Sequence, residues 1–505
     1  MYTDDGIEAC STYFLSTCIP AFVLFRKGGS LLSAFLRRKE FIACIFLIIC
    51  LLCLTEIFHG NKASAAPATG PIITLGVTFG PPTTNIKVKG GGFGAEETVI
   101  LDFDTSQIGT ASTNNAGAFS TRITVPASAL PGRHTIKATG NVSHLFAKTF
   151  FLVRTNWPMS GFDPGQDLFN PYENVLNTNN VSSMIEDWNQ PIGGDSSASP
   201  IVANGIVYVG SDKFYAFNAT TGKTLWSYPI QTGGDAAVAN DIVYVGADKL
   251  YAFHAKTGKL LWSATVGGTL VSAPVVVNNV VYTGGDAQTL YAFNAATGAL
   301  DWSAKTGGSM YTAPAVANGI VYVSVQNGVY AYNALNGNLL WTAIPGGDFS
   351  SSPAVSQGIV YVISPHGTLY ALNATAGTTV WSASILTSFS NTPAVADGIV
   401  YVATFNFYAF NAGTGALIWS QTLNDLPNAS PTIANGILYL GEGNTSVTFF
   451  AFNAATGAML WYNEPDVDAP YSNMVIVNGM VYVNAYTITG NEDYLYTYHL
   501  PPSTL

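Results

Sequence analysis

The chain has 505 residues, of which 48% are hydrophobic, 12% aromatic and only 10% charged, with a net charge of −11. So many apolar and aromatic residues exclude a disordered chain and allow several domains with a large core. The acidic balance argues against nucleic acid or an anionic membrane as partner, because phosphates are held by Lys and Arg.

The first 65 residues read as an export segment behind an N-terminal extension. Arg37-Arg38-Lys39 precedes a 14-residue apolar run, Phe41–Leu54, and then the small residues Ala63-Ser64-Ala65-Ala66. This is the order of a secretory signal, cleaved after Ala65. The run is short for a membrane span of about 20 residues; an uncleaved anchor over 41–58 is the alternative. All five cysteines, Cys10, Cys18, Cys44, Cys50 and Cys53, lie in this part. The mature chain therefore has no disulfide framework and no thiol nucleophile.

From 70 to 155 the sequence shows short β-rich runs and no helical period. Asn85–Lys89, Thr98–Phe103, Phe119–Val125 and His134–Ala138 are divided by turn residues such as Gly90-Gly91-Gly92 and Pro131-Gly132. About seven such runs suit a two-sheet sandwich. Gly92-Phe93-Gly94 and Pro131-Gly132-Arg133-His134-Thr135-Ile136 resemble motifs of immunoglobulin-like modules of bacterial surface proteins, which implies a spacer. Residues 156–180 read as a linker.

Residues 181–500 are a repeat. Tyrosines of a Val/Leu-Tyr pair stand at 208, 244, 282, 322, 361, 401, 439 and 482, and tryptophans at 188, 226, 262, 302, 341, 381, 419 and 461. Two independent rulers give one period of about 39 residues, the size of a four-stranded propeller blade. Each copy carries a two-residue turn such as Asn204-Gly205, suited to tight hairpins. A Tyr-Ala-Phe-Asn strand follows, then a glycine turn, then the Trp strand. The aromatic rings are expected to pack between blades. The tryptophan count begins one strand early, at Trp188, and no tryptophan follows Tyr496. Pairing the Trp188 strand with the last sheet closes an eight-bladed ring. The fold expected is all-β: an eight-bladed propeller closed by an N-terminal strand and preceded by an immunoglobulin-like sandwich.

The repeat, exemplified by Ser199-Pro200-Ile201-Val202-Ala203-Asn204-Gly205-Ile206-Val207-Tyr208 and Tyr215-Ala216-Phe217-Asn218, strongly resembles the pyrroloquinoline-quinone (PQQ) repeat. Quinoprotein alcohol dehydrogenases and the lipoprotein of the outer-membrane barrel-assembly machine share it. Asn156-Trp157-Pro158-Met159 and Phe169-Asn170-Pro171 also look like the lead-in to such propellers. The resemblance implies either a quinone- and Ca²⁺-dependent oxidoreductase or a binding propeller. The dehydrogenases hold the tricarboxylate with a basic side chain and a Ca²⁺. Here no Arg lies beyond Arg154, so neither PQQ nor Ca²⁺ catalysis is expected, and no catalytic residue is assigned.

Candidate binding residues sit in the loops entering each blade. Asp195 and Asp348, from recurring Gly-Gly-Asp triplets, are Ca²⁺ candidates that with Ser309 and Thr269 would bind a cation or a polyhydroxylated ligand. Their alternative role is turn capping. Tyr311, Phe349, Phe389 and Tyr471 are candidates to stack a sugar or grip a peptide. Glu464, Asp466 and Asp468 form an acidic loop, and His254, His366 and His499 are scattered over different blades. The expected protein is a secreted or cell-surface monomer, a non-catalytic scaffold binding protein or glycan at its propeller loops. A membrane is expected to be met only through an uncleaved N-terminal segment. A quinoprotein oxidoreductase and a barrel-assembly helper are the alternatives.

Overall fold

The computed structural model describes residues 70–194, 198–270, 272–343, 349, 351–385, 391–422, 427, 429–442, 448–463, 472–486 and 492–502. The expected export segment and the five cysteines lie outside them. Residues 71–505 form a compact unit of their own, and every hydrophobic core cluster lies within it. No described helix is long and apolar enough to cross a membrane.

Residues 72–153 build two sheets. Ile72–Leu75, Asn85–Gly91 and Phe119–Thr124 form one; Phe79–Gly80, Phe146–Val153, Gly132–Gly140, Thr98–Phe103 and Ser106–Ser112 form the other. Alternate residues point inward, so Ile86, Val88 and Ile123 of one sheet meet Val99, Leu101, Ile136 and Phe151 of the other in a single core.

The repeat region forms eight sheets of the blade type. Blade one runs Ile201–Ala203, Ile206–Gly210, Phe214–Asn218 and Thr224–Tyr228, each strand antiparallel to the next. The six that follow begin at Ala237, Val275, Ala315, Ala354, Ala394 and Thr432. Blade eight takes Val475–Val477, Met480–Tyr486 and Asp493–His499, and its fourth strand is Ile185–Pro191. The first strands touch their neighbours in cyclic order, and blade eight touches blade one. The strand carrying Trp188 therefore closes the ring as its spacing required. A bulge at Trp188 is bridged by the buried Thr497, whose hydroxyl donates to the Trp188 carbonyl at 2.8 Å and accepts its N–H at 3.1 Å.

The two rulers keep one period because both rings reach the same atom. The Tyr208 hydroxyl and the Trp226 indole N–H both donate to the carbonyl of Ala255 in the next blade, at 3.1 and 2.9 Å. Tyr244 with Trp262 does so at Ala295, Tyr282 with Trp302 at Ala334, Tyr322 with Trp341 at Ala374, and Tyr361 with Trp381 at Ala412. Seven of the indoles, from Trp188 to Trp419, also lie on the turn glycine of the following blade, as Trp262 does on Gly298. The aromatics thus pack between blades, as expected from their bulk.

Candidate functional site

The segment expected as a linker instead threads the ring. A blade's first strand leaves its inner backbone groups unpaired, and buried N–H groups need acceptors. Residues 157–168 supply them. The central N–H of the inner strand donates to this segment in six blades: Val202 to Trp157, Val238 to Pro158, Val316 to Pro164, Val355 to Gly165, Val395 to Asp167 and Ile433 to Leu168, at 2.6–2.9 Å. In blade eight the Asn170 side-chain amide donates to the Ile476 carbonyl at 2.8 Å. Gly165 permits the approach, since a Cβ there would lie 2.6 Å from the Val355 oxygen. Phe162, Gln166 and Leu168 take positive φ to follow the circle. Phe169–Asn170 then pairs parallel to Thr432–Ala434.

This inner collar carries carboxyl groups with which no Lys, Arg or His forms an ion pair among the described residues. Burial raises the pKa of Asp163, and burial with the neighbouring Asp163 charge raises Asp167 to about 8. The Asp167 carboxyl accepts the Phe169 N–H at 3.2 Å. Glu173, also raised by burial, accepts from Val175, Leu176 and Gly479. Asp235, of the Gly233-Gly234-Asp235 triplet, accepts the Ser160 hydroxyl and the Ser199 N–H, tying the collar to blade one. Because Asp167 binds its proton more tightly folded than unfolded, its contribution to stability is fully present below about pH 4 and is lost as pH rises towards 8. Urea unfolding of residues 70–505 should show stability falling from pH 5 to pH 8, and Asp167→Asn should flatten that slope.

Beside the collar lies a cavity of about 490 Å³ between blades five and six. Its lining includes Asp167 and Phe169 of the inner segment and Gln357, Asp397, Asn411 and Gly413 of the two blades. Three of these depart from the repeat. The first residue of the inner turn is Asn in six blades; the exceptions are Gln357 and Asp397. The second residue after the Asn or His that ends the third strand is Thr220, Lys256, Ala296, Leu335, Thr375, Ala455 or Pro501 elsewhere, and glycine only at Gly413. Three departures from the repeat, among them a carboxyl and an amide, thus line a single cavity.

The residues singled out from sequence are placed differently. Tyr311 is exposed. Ser309 donates through its hydroxyl to the Asp286 carbonyl at 3.2 Å, and the Asp286 side chain accepts the Thr269 N–H at 2.8 Å. The glycine loops entering blades three and four are therefore fastened to the hairpin at Asp286. Phe349 is 4% exposed and packs with Ala315, Tyr322 and Val355, so it is core and cannot stack a ligand. Asp195, Asp348, Phe389, Tyr471 and the acidic loop Glu464, Asp466 and Asp468 lie outside the described residues. Among the described residues no group of three or more His, Asp or Glu side chains is placed to hold a metal ion. Sequence reading missed Asp163, Asp167 and Asp397. Asp397 was visible as an exception in the row of turn residues, whereas the collar acids carry no local signal.

The PQQ repeat implies a quinone on the propeller axis. Residues 157–168 line the inner strands there, and the acidic groups they carry are Asp163 and Asp167. These residues do not fit a tricarboxylate.

No curated protein sequence matches the chain. Solved structures share the fold at low identity. Quinohemoprotein alcohol dehydrogenase from Comamonas testosteroni aligns with a TM-score of 0.60 at 15% identity, over 68% of this chain and 80% of that one. A europium-containing methanol dehydrogenase gives 0.61 at 14%, over 68% and 98%. BamB from Moraxella catarrhalis gives 0.53 at 16%, over 63% and 98%. The family profile described as outer membrane protein assembly factor BamB matches residues 212–343, 325–406 and 405–495, more than half of the sequence. With eight blade sheets in cyclic contact, five of their junctions made through Tyr, Trp and Ala, this chain belongs to the PQQ-repeat propeller family represented by that assembly factor.

Proposed function

We propose that this is an exported, non-catalytic binding and scaffold protein. On this reading residues 1–65 direct export, the sandwich is a spacer, and the propeller is a rigid platform whose recognition point is the cavity between blades five and six. The observation that carries it is the convergence of Gln357, Asp397 and Gly413, three departures from the repeat, on a single cavity. A carboxylate, planar amides and the partly buried ring of Phe169 suit a neutral sugar, which offers hydroxyls to the polar groups and an apolar face to the ring. No Lys or Arg lines the cavity, so anions are disfavoured.

The reading is tested by calorimetric titration of residues 70–505 with neutral mono- and disaccharides. Asp397→Ala should weaken a binding sugar by about tenfold, the effect of one lost charge-assisted hydrogen bond. Saccharides giving no heat, or equal affinity in the variant, would remove the sugar reading. Membership of the assembly-factor family favours a second reading, in which the same platform engages envelope proteins. Affinity capture from the native envelope, compared between wild type and Asp397→Ala, separates the two.

A further inference from the structure

The net charge conceals a division along the chain. Residues 70–155 hold seven Lys and Arg against four Asp and Glu, whereas residues 156–505 hold six against 21. The basic groups of the sandwich are not spread evenly. The outer face of Phe146–Val153 presents Phe146, Lys148, Phe150 and Leu152 in alternation, with Phe146 56%, Phe150 47% and Leu152 37% exposed. Its neighbour Gly132–Gly140 sets Arg133 opposite Leu152 and Lys137 opposite Lys148. The cations lie over the rings: Arg133 Cζ is 3.5 Å from the Phe150 centroid, and Lys137 and Lys148 Nζ are 5.6 and 5.8 Å from that of Phe146. Phe79, 47% exposed beyond Leu152, extends the apolar area.

We infer that this sheet face is a docking surface for an anionic lipid bilayer, seating its rings and Leu152 at the headgroup level while Arg133, Lys137 and Lys148 pair with lipid phosphates. Three observations choose that occupant. The face is basic on an otherwise acidic molecule, so an anionic surface attracts the sandwich and repels the propeller, orienting the protein. Its centre is apolar, which a soluble polyanion would leave unmatched but an interface accommodates. The ring faces are already covered by cations, so a sugar cannot stack on them, whereas ring edges and Leu152 remain free to enter an interface. The surface is separate from the cavity of the propeller and does not depend on it.

The test is flotation of residues 70–505 with vesicles of phosphatidylcholine alone or mixed with phosphatidylglycerol. Residues before 70 are omitted so that their apolar run cannot insert. Binding is expected only to the mixed vesicles and should decline with salt. Lys137→Glu with Lys148→Glu should weaken it about 100-fold, because four units of charge change at the surface. Phe146→Ser with Phe150→Ser should weaken it about tenfold while leaving the charge intact. Lys148, Phe146 and Phe150 are exposed and Lys137 half-buried, and unchanged far-UV dichroism and unfolding midpoints would confirm folding. Absence of flotation, or flotation unaltered by the charge-reversed pair, would overturn the inference. So would tight binding to soluble polyphosphate that ignores the rings, or self-association lost in the ring variant.

Discussion

Trp302→Ala is expected to destabilise residues 70–505 by about 3 kcal/mol or more in urea unfolding. The indole packs against Tyr282 with centroids 5.9 Å apart, lies on Gly337 of the next blade and donates to the Ala334 carbonyl at 3.0 Å. Removing it leaves a cavity at a blade interface and leaves that carbonyl only the Tyr282 hydroxyl. Trp188→Ala provides the contrast. Trp188 lies on Gly222 and beside Tyr482 as its counterparts do, but its indole N–H has no partner among the described residues. Here the Ala219 carbonyl is reached by the Tyr482 hydroxyl alone. Its loss should therefore cost about 1 kcal/mol less than that of Trp302. Equal costs would show that the shared carbonyl contributes nothing and that ring packing alone joins the blades.

The second large effect is expected from Gly298→Ala measured beside Gly319→Ala. Both glycines have positive φ, 72° and 78°. At Gly319 an added Cβ meets nothing within 4 Å, so only the left-handed strain remains, about 1 kcal/mol. At Gly298 the same atom would lie 2.5 Å from Trp262 Cε3. Forcing the indole away from its acceptor at Ala295 should add about 1–3 kcal/mol. In a Trp262→Ala background the two glycine substitutions should become equivalent, a coupling that thermal unfolding of the four chains can read. If the difference persists without the indole, stacking on the turn glycine is not what keeps the blades in step.

The two effects explain why the architecture was legible in the sequence. A Tyr, a Trp, an Ala and a Gly recur at fixed spacing because most blades meet their neighbour through those four residues, and this demand is local to each repeat. The closing strand was legible for the same reason: Trp188 stands one period ahead of Trp226, on a strand the last sheet lacked. The sandwich followed from alternation of period two, which buried Ile86, Val88 and Leu101 as the pattern required.

The candidate sites were much less legible. Phe349 looked like a mouth aromatic because it enters a blade, yet the same position lets it turn into the core between blades four and five. Gly-Gly-Asp suggested a ligand funnel at Asp195 and Asp348, which lie outside the described residues; in the third triplet the Asp235 carboxyl holds Ser160 and Ser199.

The sequence by itself determined the number of blades, their strand order and the contact chemistry between them, because each repeat restates the same local constraints. Only the tertiary structure decided what fills the centre. Residues 157–168 show no period, and nothing near them in sequence announces that their carbonyls face inner strands 45 to 265 residues away. The same holds for the cavity, where Asp167 meets Asp397, and for the basic face, where Arg133 and Lys137 on one strand flank Phe146 and Phe150 on the next. Such groups are brought together by ring closure and sheet register, which act through space rather than along the chain.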